Sequence, residues 1–208
     1  MLSLAILAGG ESQRMGREKA LLPFMGRPLV QCVLERLSNL ADEIILVSNR
    51  PDSLGFLGLR TVRDILPGRG ALGGLYTALA NAAKNDCVAV VACDMPFANA
   101  QVFLTAYEAV KRYGCDGVVP HSSTGEEPLH AVYKRSTCLP AIRRALDQNL
   151  WRLNSWYGEV KIHFLPPEVI LHYDPHQLAF LNINREVDLA QAEQLAKSGI
   201  DPFYALLT

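Results

Sequence analysis

Cys87-Val88-Ala89-Val90-Val91-Ala92 runs six residues without a polar interruption, and Cys93-Asp94-Met95-Pro96 follows directly. A strand at a sheet surface alternates apolar and polar side chains, because successive Cβ atoms point to opposite faces. A strand that is apolar at every position is covered on both faces, as in a parallel sheet between two helical layers. Asp94, at its end, then lies where ligands collect in such sheets, beyond the carboxyl ends of the strands.

Working outward, Leu2–Leu7 is a second short apolar strand, followed by a polar, glycine-bearing loop over residues 8–19. Pro28 takes the place a helix favours for its first residue, and Leu29, Val33, Leu37 and Leu40 follow at helical spacing. Strands are expected at 43–48 and 59–63. A second glycine-rich loop, 67–74, opens a helix that packs Leu75, Leu79 and Ala82 on one side. Asn99 is placed to cap the helix of Phe103, Ala106 and Val110. Further strands are expected at 116–119, 129–134, 160–165 and 179–183, with a helix at 137–146. A last helix, 185–198, has Glu186 and Asp188 near its positive end. The tail, 199–208, has no readable role. Alternating strands and helices predict an α/β fold, a three-layer α/β/α sandwich around a mostly parallel, Rossmann-like central sheet.

The 208 residues fit one domain, 1–208, and suffice to bury a sizeable core. A net charge of −1 leaves no global field to hold nucleic acid or an anionic membrane, so neither partner is expected and any anion site must be local. No apolar stretch approaches the roughly 18 residues of a membrane span, and the N-terminus lacks the basic region of a signal peptide. Five scattered cysteines without a CxxC pair argue against a disulfide framework or a zinc site and suit a reducing, cytoplasmic setting.

The first loop reads Leu7-Ala8-Gly9-Gly10-Glu11-Ser12-Gln13-Arg14-Met15-Gly16-Arg17-Glu18-Lys19. Glycines let backbone amides approach an anion, while Arg14, Arg17 and Lys19 concentrate positive charge in an otherwise neutral chain. The spacing fits neither GxxxxGK[ST] nor GxGxxG. A phosphate cradle and an ordinary strand-to-helix connection both suit these residues. Asp94 likewise suits either a hard cation bridging phosphate oxygens or a turn before proline.

The run Leu-Ala-Gly-Gly, then Arg-Met-Gly, then Lys19, with Leu21-Leu22 and Gly26-Arg27-Pro28-Leu29 behind it, resembles the signature of the glycosyltransferase-A-like nucleotidyltransferases. Among these it is most similar to the molybdenum cofactor guanylyltransferases, and Cys93-Asp94-Met95-Pro96 resembles their metal site. The resemblance implies a nucleotide-binding half, about residues 1–100, and an acceptor-binding half, about 101–198. It implies Mg²⁺ on Asp94 and transfer of GMP from GTP to the phosphate of the molybdopterin cofactor, with Arg14, Lys19 and Asp94 as catalytic residues. Nucleotide contacts are expected from Leu7, Ala8, Gly9, Gly10, Arg14, Lys19, Asn49, Asp64, Gly70, Leu72 and Gly73. Ala71 stands where the family usually has proline, which loosens the second loop.

On the acceptor side the resemblance points to Pro128 and His130, and to Asn182 and Asn184, although Arg185-Glu186 replaces the family's Thr-Pro. The bland readings are a packed core histidine for His130 and an N-cap for Asn184. Trp151, Arg152, Trp156 and Tyr157 fit either an aromatic lid or core packing. Molybdenum-insertion proteins and client oxidoreductases are implied as transient protein partners. The rival readings are a cytidylyltransferase on the same cofactor, a sugar-1-phosphate nucleotidyltransferase, and a non-catalytic nucleotide-binding delivery protein.

Overall fold

The computed structural model describes residues 1–9 and 18–205. In chain order its strands are β1 (Leu2–Leu7), β2 (Pro23–Phe24), β3 (Arg27–Pro28), β4 (Glu43–Val47), β5 (Arg60–Val62), β6 (Cys87–Ala92), β7 (Gly117–Ser122), β8 (Gly125–Glu126), β9 (His130–Lys134) and β10 (Ile162–Leu165). The α-helices are α1 (Leu29–Leu37), α2 (Gly70–Asn81), α3 (Ala100–Tyr113), α4 (Arg135–Asp147), α5 (Pro167–Tyr173), α6 (Glu186–Lys197) and α7 (Pro202–Ala205).

The main sheet has the order β10-β7-β9-β6-β1-β4-β5, with β8 paired to β7. Neighbours in this order pair in parallel except at β9, which runs antiparallel to both β6 and β7, and the short β8 is antiparallel to β7. The sheet is therefore mostly parallel, as expected, and β6 lies inside it between β9 and β1. Its alternate residues enter opposite layers. Ala89 and Val91 join the core under α1 and α3, and Val88 and Val90 join the core under α2 and α4. Two faces buried by two helical layers explain why CVAVVA carries no polar alternation.

The capping and packing expectations hold where local chemistry is strong. The Asn99 side chain accepts the Gln101 and Val102 amides at the start of α3. Leu75, Leu79 and Ala82 are fully buried. Two expectations change. Residues 179–183 form no strand but a 3₁₀ turn, Leu178–Phe180, and a coil. The cause is Asp174, whose carboxylate accepts the Leu178 and Ala179 amides and turns the chain before it can pair with the sheet. The second glycine loop is also shorter than expected, because α2 already begins at Gly70.

A third apolar cluster lies outside the sheet. Leu22, Phe24, Leu29 and Cys32 meet Phe97, Ile183, Ala192, Ala196 and Tyr204. Phe24 packs edge-on to Phe97 at 5.8 Å and to Tyr204 at 5.2 Å. This cluster joins the chain after Lys19, the segment after Asp94 and the C-terminal helices. Stretches far apart in sequence thereby converge at one edge of the sheet.

Among the described residues, no helix is long and apolar enough to cross a membrane. All five cysteines are free thiols.

Candidate active site

β1 and β6 are adjacent and parallel, so Leu7 and Ala92 sit side by side at the carboxyl edge. Cys93 continues the pairing by donating its amide to Leu7 O at 3.0 Å. Asp94 is thus the first residue past the tip of an interior strand, close to the start of the first loop. Lys19 reaches the same place from the other end of that loop. It lies on a 3₁₀ turn, Lys19–Leu21, anchored by Ala20, which is 1% exposed.

Lys19 Nζ donates to Asp94 Oδ2 and, at 2.8 Å, to Asn184 Oδ1. These partners come from positions 75 and 165 residues away in sequence. Asn184 is held there by two backbone constraints. The Ile183 amide donates to Asp94 O at 3.0 Å, and the Asn184 amide donates to Asp188 Oδ2 at 3.0 Å. Asp188 also accepts the Arg185 amide, and Arg185 is the N-cap of α6. The Asn184 side chain is therefore free of capping duty, contrary to its bland reading. The Asp94–Lys19 pair is largely shielded, with side chains 13% and 19% exposed. Asp94 Oδ1 is buried and has no hydrogen-bond partner among the described residues.

The neighbouring strand tips hold a second constellation. Asn49 Oδ1 accepts the Asp64 amide at 3.1 Å, and Asp64 Oδ1 accepts the Thr77 hydroxyl at 2.8 Å. Thr77 Oγ1 in turn accepts the Ile65 amide at 3.0 Å. Burial raises the Asp64 carboxyl above its ordinary value, and the Thr77 hydrogen bond opposes the rise. Thr77 was missed by sequence reasoning. Its signal was a lone hydroxyl among the buried apolar residues of α2, beside Ala78.

The nucleotide candidates divide sharply. Gly9 is exposed, and a Cβ there would meet only ordinary contacts, 3.7 Å from Val47 O. Packing does not demand glycine at this position, so the bare backbone is available to a ligand. Leu7 and Ala8 are 7% and 6% exposed, which leaves their backbone rather than their side chains for contact. In the second loop each residue has a structural reason of its own. Gly70 adopts φ +60°, Leu72 is fully buried, and a Cβ on Gly73 would sit 2.9 Å from Arg69 Cβ and 3.0 Å from Leu66 O. Gly73→Ala should lower stability by roughly 1–3 kcal/mol, despite alanine's advantage of about 1 kcal/mol in a helix. A urea midpoint equal to the parent's would show that the loop relaxes. Gly10 and Arg14 lie outside the described residues.

The acceptor candidates divide too. Pro128 is half-buried beside the β6 tip, where the next residue's carbonyl, Leu129 O, accepts the Ala92 amide at 3.1 Å. Asn182 turns its amide back onto Phe180 O at 3.0 Å. His130 does not face the edge as an acceptor contact. It is 0% exposed, stacked on Phe103 at 4.0 Å, and its Nε2 accepts the Asn99 amide at 3.1 Å. The position on β9 that brings its backbone near the site points its side chain into the α3 layer.

Burial in that layer pushes the His130 imidazole down to about 3. An unfolded chain protonates the same group near 6.5, so the unfolded state binds more protons as pH falls below that value. His130 therefore contributes stability above about pH 6.5 that is lost progressively as pH falls toward the folded value. Between pH 7 and pH 4.5 the loss should be roughly 2–3 kcal/mol. His130→Gln, which keeps an acceptor for the Asn99 amide, should show a correspondingly shallower acid slope. Urea unfolding at the two pH values checks this, and equal slopes in variant and parent would refute it.

Trp156 and Trp151 have opposite surroundings. Trp156 is fully buried against Tyr133 and Tyr157, whereas Trp151 is 52% exposed. The core reading holds for the first only.

A shielded ammonium and carboxylate that meet beyond adjacent parallel strands, with a bare backbone at the start of the first loop, make up the working edge of a nucleotidyltransferase sheet. A family model for the MobA-like NTP transferase domain matches residues 4–160, and the chain belongs to that family. It is 35% identical over 193 residues to a probable molybdenum cofactor guanylyltransferase of Pelotomaculum thermopropionicum, covering 93% of this chain and 92% of that protein. It is 34% identical to a molybdenum cofactor guanylyltransferase of Desulfosudis oleivorans, covering 93% and 95%. The crystal structure of molybdopterin-guanine dinucleotide biosynthesis protein A from Archaeoglobus fulgidus superposes with a TM-score of 0.81 at 27% identity, covering 94% of this chain and 99% of that one.

Proposed function

We propose that this nucleotidyltransferase moves GMP from GTP to the terminal phosphate of the molybdenum–molybdopterin cofactor and releases pyrophosphate. The observation that carries the reading is the convergence of Lys19, Asp94 and Asn184 at the tip of β6. The names of the relatives supply the substrates.

The reaction is an in-line displacement at the α-phosphorus of GTP. A phosphate oxygen of the acceptor is already an anion near neutral pH, so no side chain has to become a nucleophile. The work left to the chain is positioning and charge neutralisation. Lys19 offers its ammonium to phosphate oxygens, and Asn184 and Asp94 together orient it. The exposed Gly9 backbone would let a phosphate chain approach without a Cβ in the way.

Asp94 suits a hard divalent cation. Its Oδ1 is a buried carboxylate oxygen with no hydrogen bond among the described residues. Those residues contain no cluster of three or more His, Cys, Asp or Glu able to hold a metal by themselves. One carboxylate completed by substrate phosphates is the arrangement in which Mg²⁺ is commonly bound. Bound there, Mg²⁺ would offset negative charge on the triphosphate. The five free thiols favour a cytoplasmic setting, in which molybdenum-insertion proteins or client oxidoreductases would deliver and collect the cofactor.

The test is pyrophosphate release by the purified chain with Mg²⁺ and GTP or CTP, and with molybdopterin or a sugar 1-phosphate as acceptor. Activity confined to GTP with molybdopterin is expected. A preference for CTP or for the sugar phosphate would move the chain to a rival substrate class. GTP binding without turnover would make it a delivery protein.

A further inference from the structure

The segment after α4 bridges the two sides of the carboxyl edge. α4 starts where antiparallel β9 ends, at the amino edge of the sheet, and climbs back to stop at Asp147. The chain beyond is tied at both ends. Arg69 donates Nη1 to Asn149 Oδ1 at 2.7 Å, and Asn154 donates Nδ2 to Glu126 Oε2 at 3.2 Å. Arg69 is the residue before α2, in the second glycine loop, and Glu126 lies on β8, which extends the tip of β7. Residues 149–154 therefore form a strap from the nucleotide side to the acceptor side.

Trp151 stands in the middle of this strap, 52% exposed. The Arg69 guanidinium lies 5.2 Å from its ring centroid and covers one face. The strap turns at Asn149, whose φ of +57° is uncommon for a residue with a side chain. A large indole left in water gains nothing from burial, yet this one is oriented by a cation on one side. An oriented ring with one open face is the arrangement on which planar heteroaromatic rings stack.

We propose that Trp151, backed by Arg69, is a stacking platform for a substrate ring. The ring chemistry is the fused 2-amino-4-oxopyrimidine that guanine and a pterin share. Naming these rings rests on the proposed function; the platform itself rests on the strap geometry. The strap that carries it joins Arg69 of the second glycine loop to Glu126 of β8, so the nucleotide and the acceptor are both candidate sources of the ring.

Calorimetric titration of the full chain with Mg²⁺·GTP, Mg²⁺·CTP and neopterin monophosphate separates them, using the parent, Trp151→Phe and Trp151→Ala. Trp151→Ala should weaken one of these ligands about tenfold and leave the others unchanged, the scale of base–aromatic stacking. Trp151→Phe should remain within about threefold of the parent, because a second aromatic face replaces the first. Loss at GTP assigns the platform to the nucleobase, and loss at the pterin assigns it to the acceptor. Parent-like binding of every ligand by Trp151→Ala overturns the platform while the guanylyltransferase reading stands. Tight CTP binding that Trp151→Ala weakens keeps the platform and removes the guanine reading. A parent that binds none of the three refutes both.

Discussion

Asp94→Asn is expected to lower GTP-dependent pyrophosphate release by roughly 10²–10³-fold, the scale of removing one preorganised charge contact from a transition state. The fold should stay intact, with a smaller stability loss than Lys19→Met, because asparagine still accepts the Lys19 hydrogen bond although the ammonium loses its counter-charge. The fold uses Asp94 through its backbone, whose carbonyl accepts the Ile183 amide, and asparagine keeps that contact. Its side chain has one hydrogen-bond partner among the described residues, Lys19, and an amide oxygen can still accept that bond. Oδ1 makes no hydrogen bond, so the substitution breaks none there. Activity and stability must therefore separate in this variant. Turnover within a few-fold of the parent would remove the metal and charge assignment at the tip of β6.

Lys19→Met should fail in both respects. It removes the ammonium that Asp94 and Asn184 aim at the site, with an expected loss in kcat of roughly 10²–10³-fold. It also leaves Asp94, whose side chain is 13% exposed, as a largely shielded carboxylate without its counter-charge. Removing one partner of a shielded pair is more costly than removing both. Partial exposure moderates the cost, so a loss of roughly 1–3 kcal/mol is expected. The double variant Lys19→Met/Asp94→Asn should recover most of that stability and none of the activity. Urea unfolding and single-turnover transfer on the four proteins close the cycle. Additive stability losses would show that Lys19 and Asp94 do not depend on each other in solution.

The two variants probe a site that was partly legible in the linear chain. The unbroken apolar strand that ends there put Asp94 at the carboxyl edge, and the resemblance of Cys93-Asp94-Met95-Pro96, not the position alone, chose a metal ligand over a turn before proline. Lys19 was readable as the last cation of a glycine loop. Thr77 and Asp188 were not read as site residues. Each acts through a side chain that orients another, Asp64 in one case and Asn184 in the other, and such relations leave no spacing in the sequence. The second glycine loop is open to two readings for a related reason. Gly70 answers a positive φ and Gly73 a close approach to Leu66 O and Arg69 Cβ, so both glycines have structural causes independent of a nucleotide.

Periodicity and local chemistry by themselves determined the sandwich, the interior place of β6, the Asn99 cap and the apolar faces of α2 and α3. Those properties depend on which face of an element is apolar and on hydrogen bonds between residues a few positions apart. The turn at residues 178–180 is equally local in cause, since Asp174 captures amides four and five residues further on; the rest fell to tertiary structure. It alone turned His130 into the α3 layer, left Trp151 in water while burying Trp156, and carried Asn184 to Lys19 across 165 residues. A side chain's facing, and its distant partner, are set by how layers pack, and neither leaves a period in the chain that folds into them.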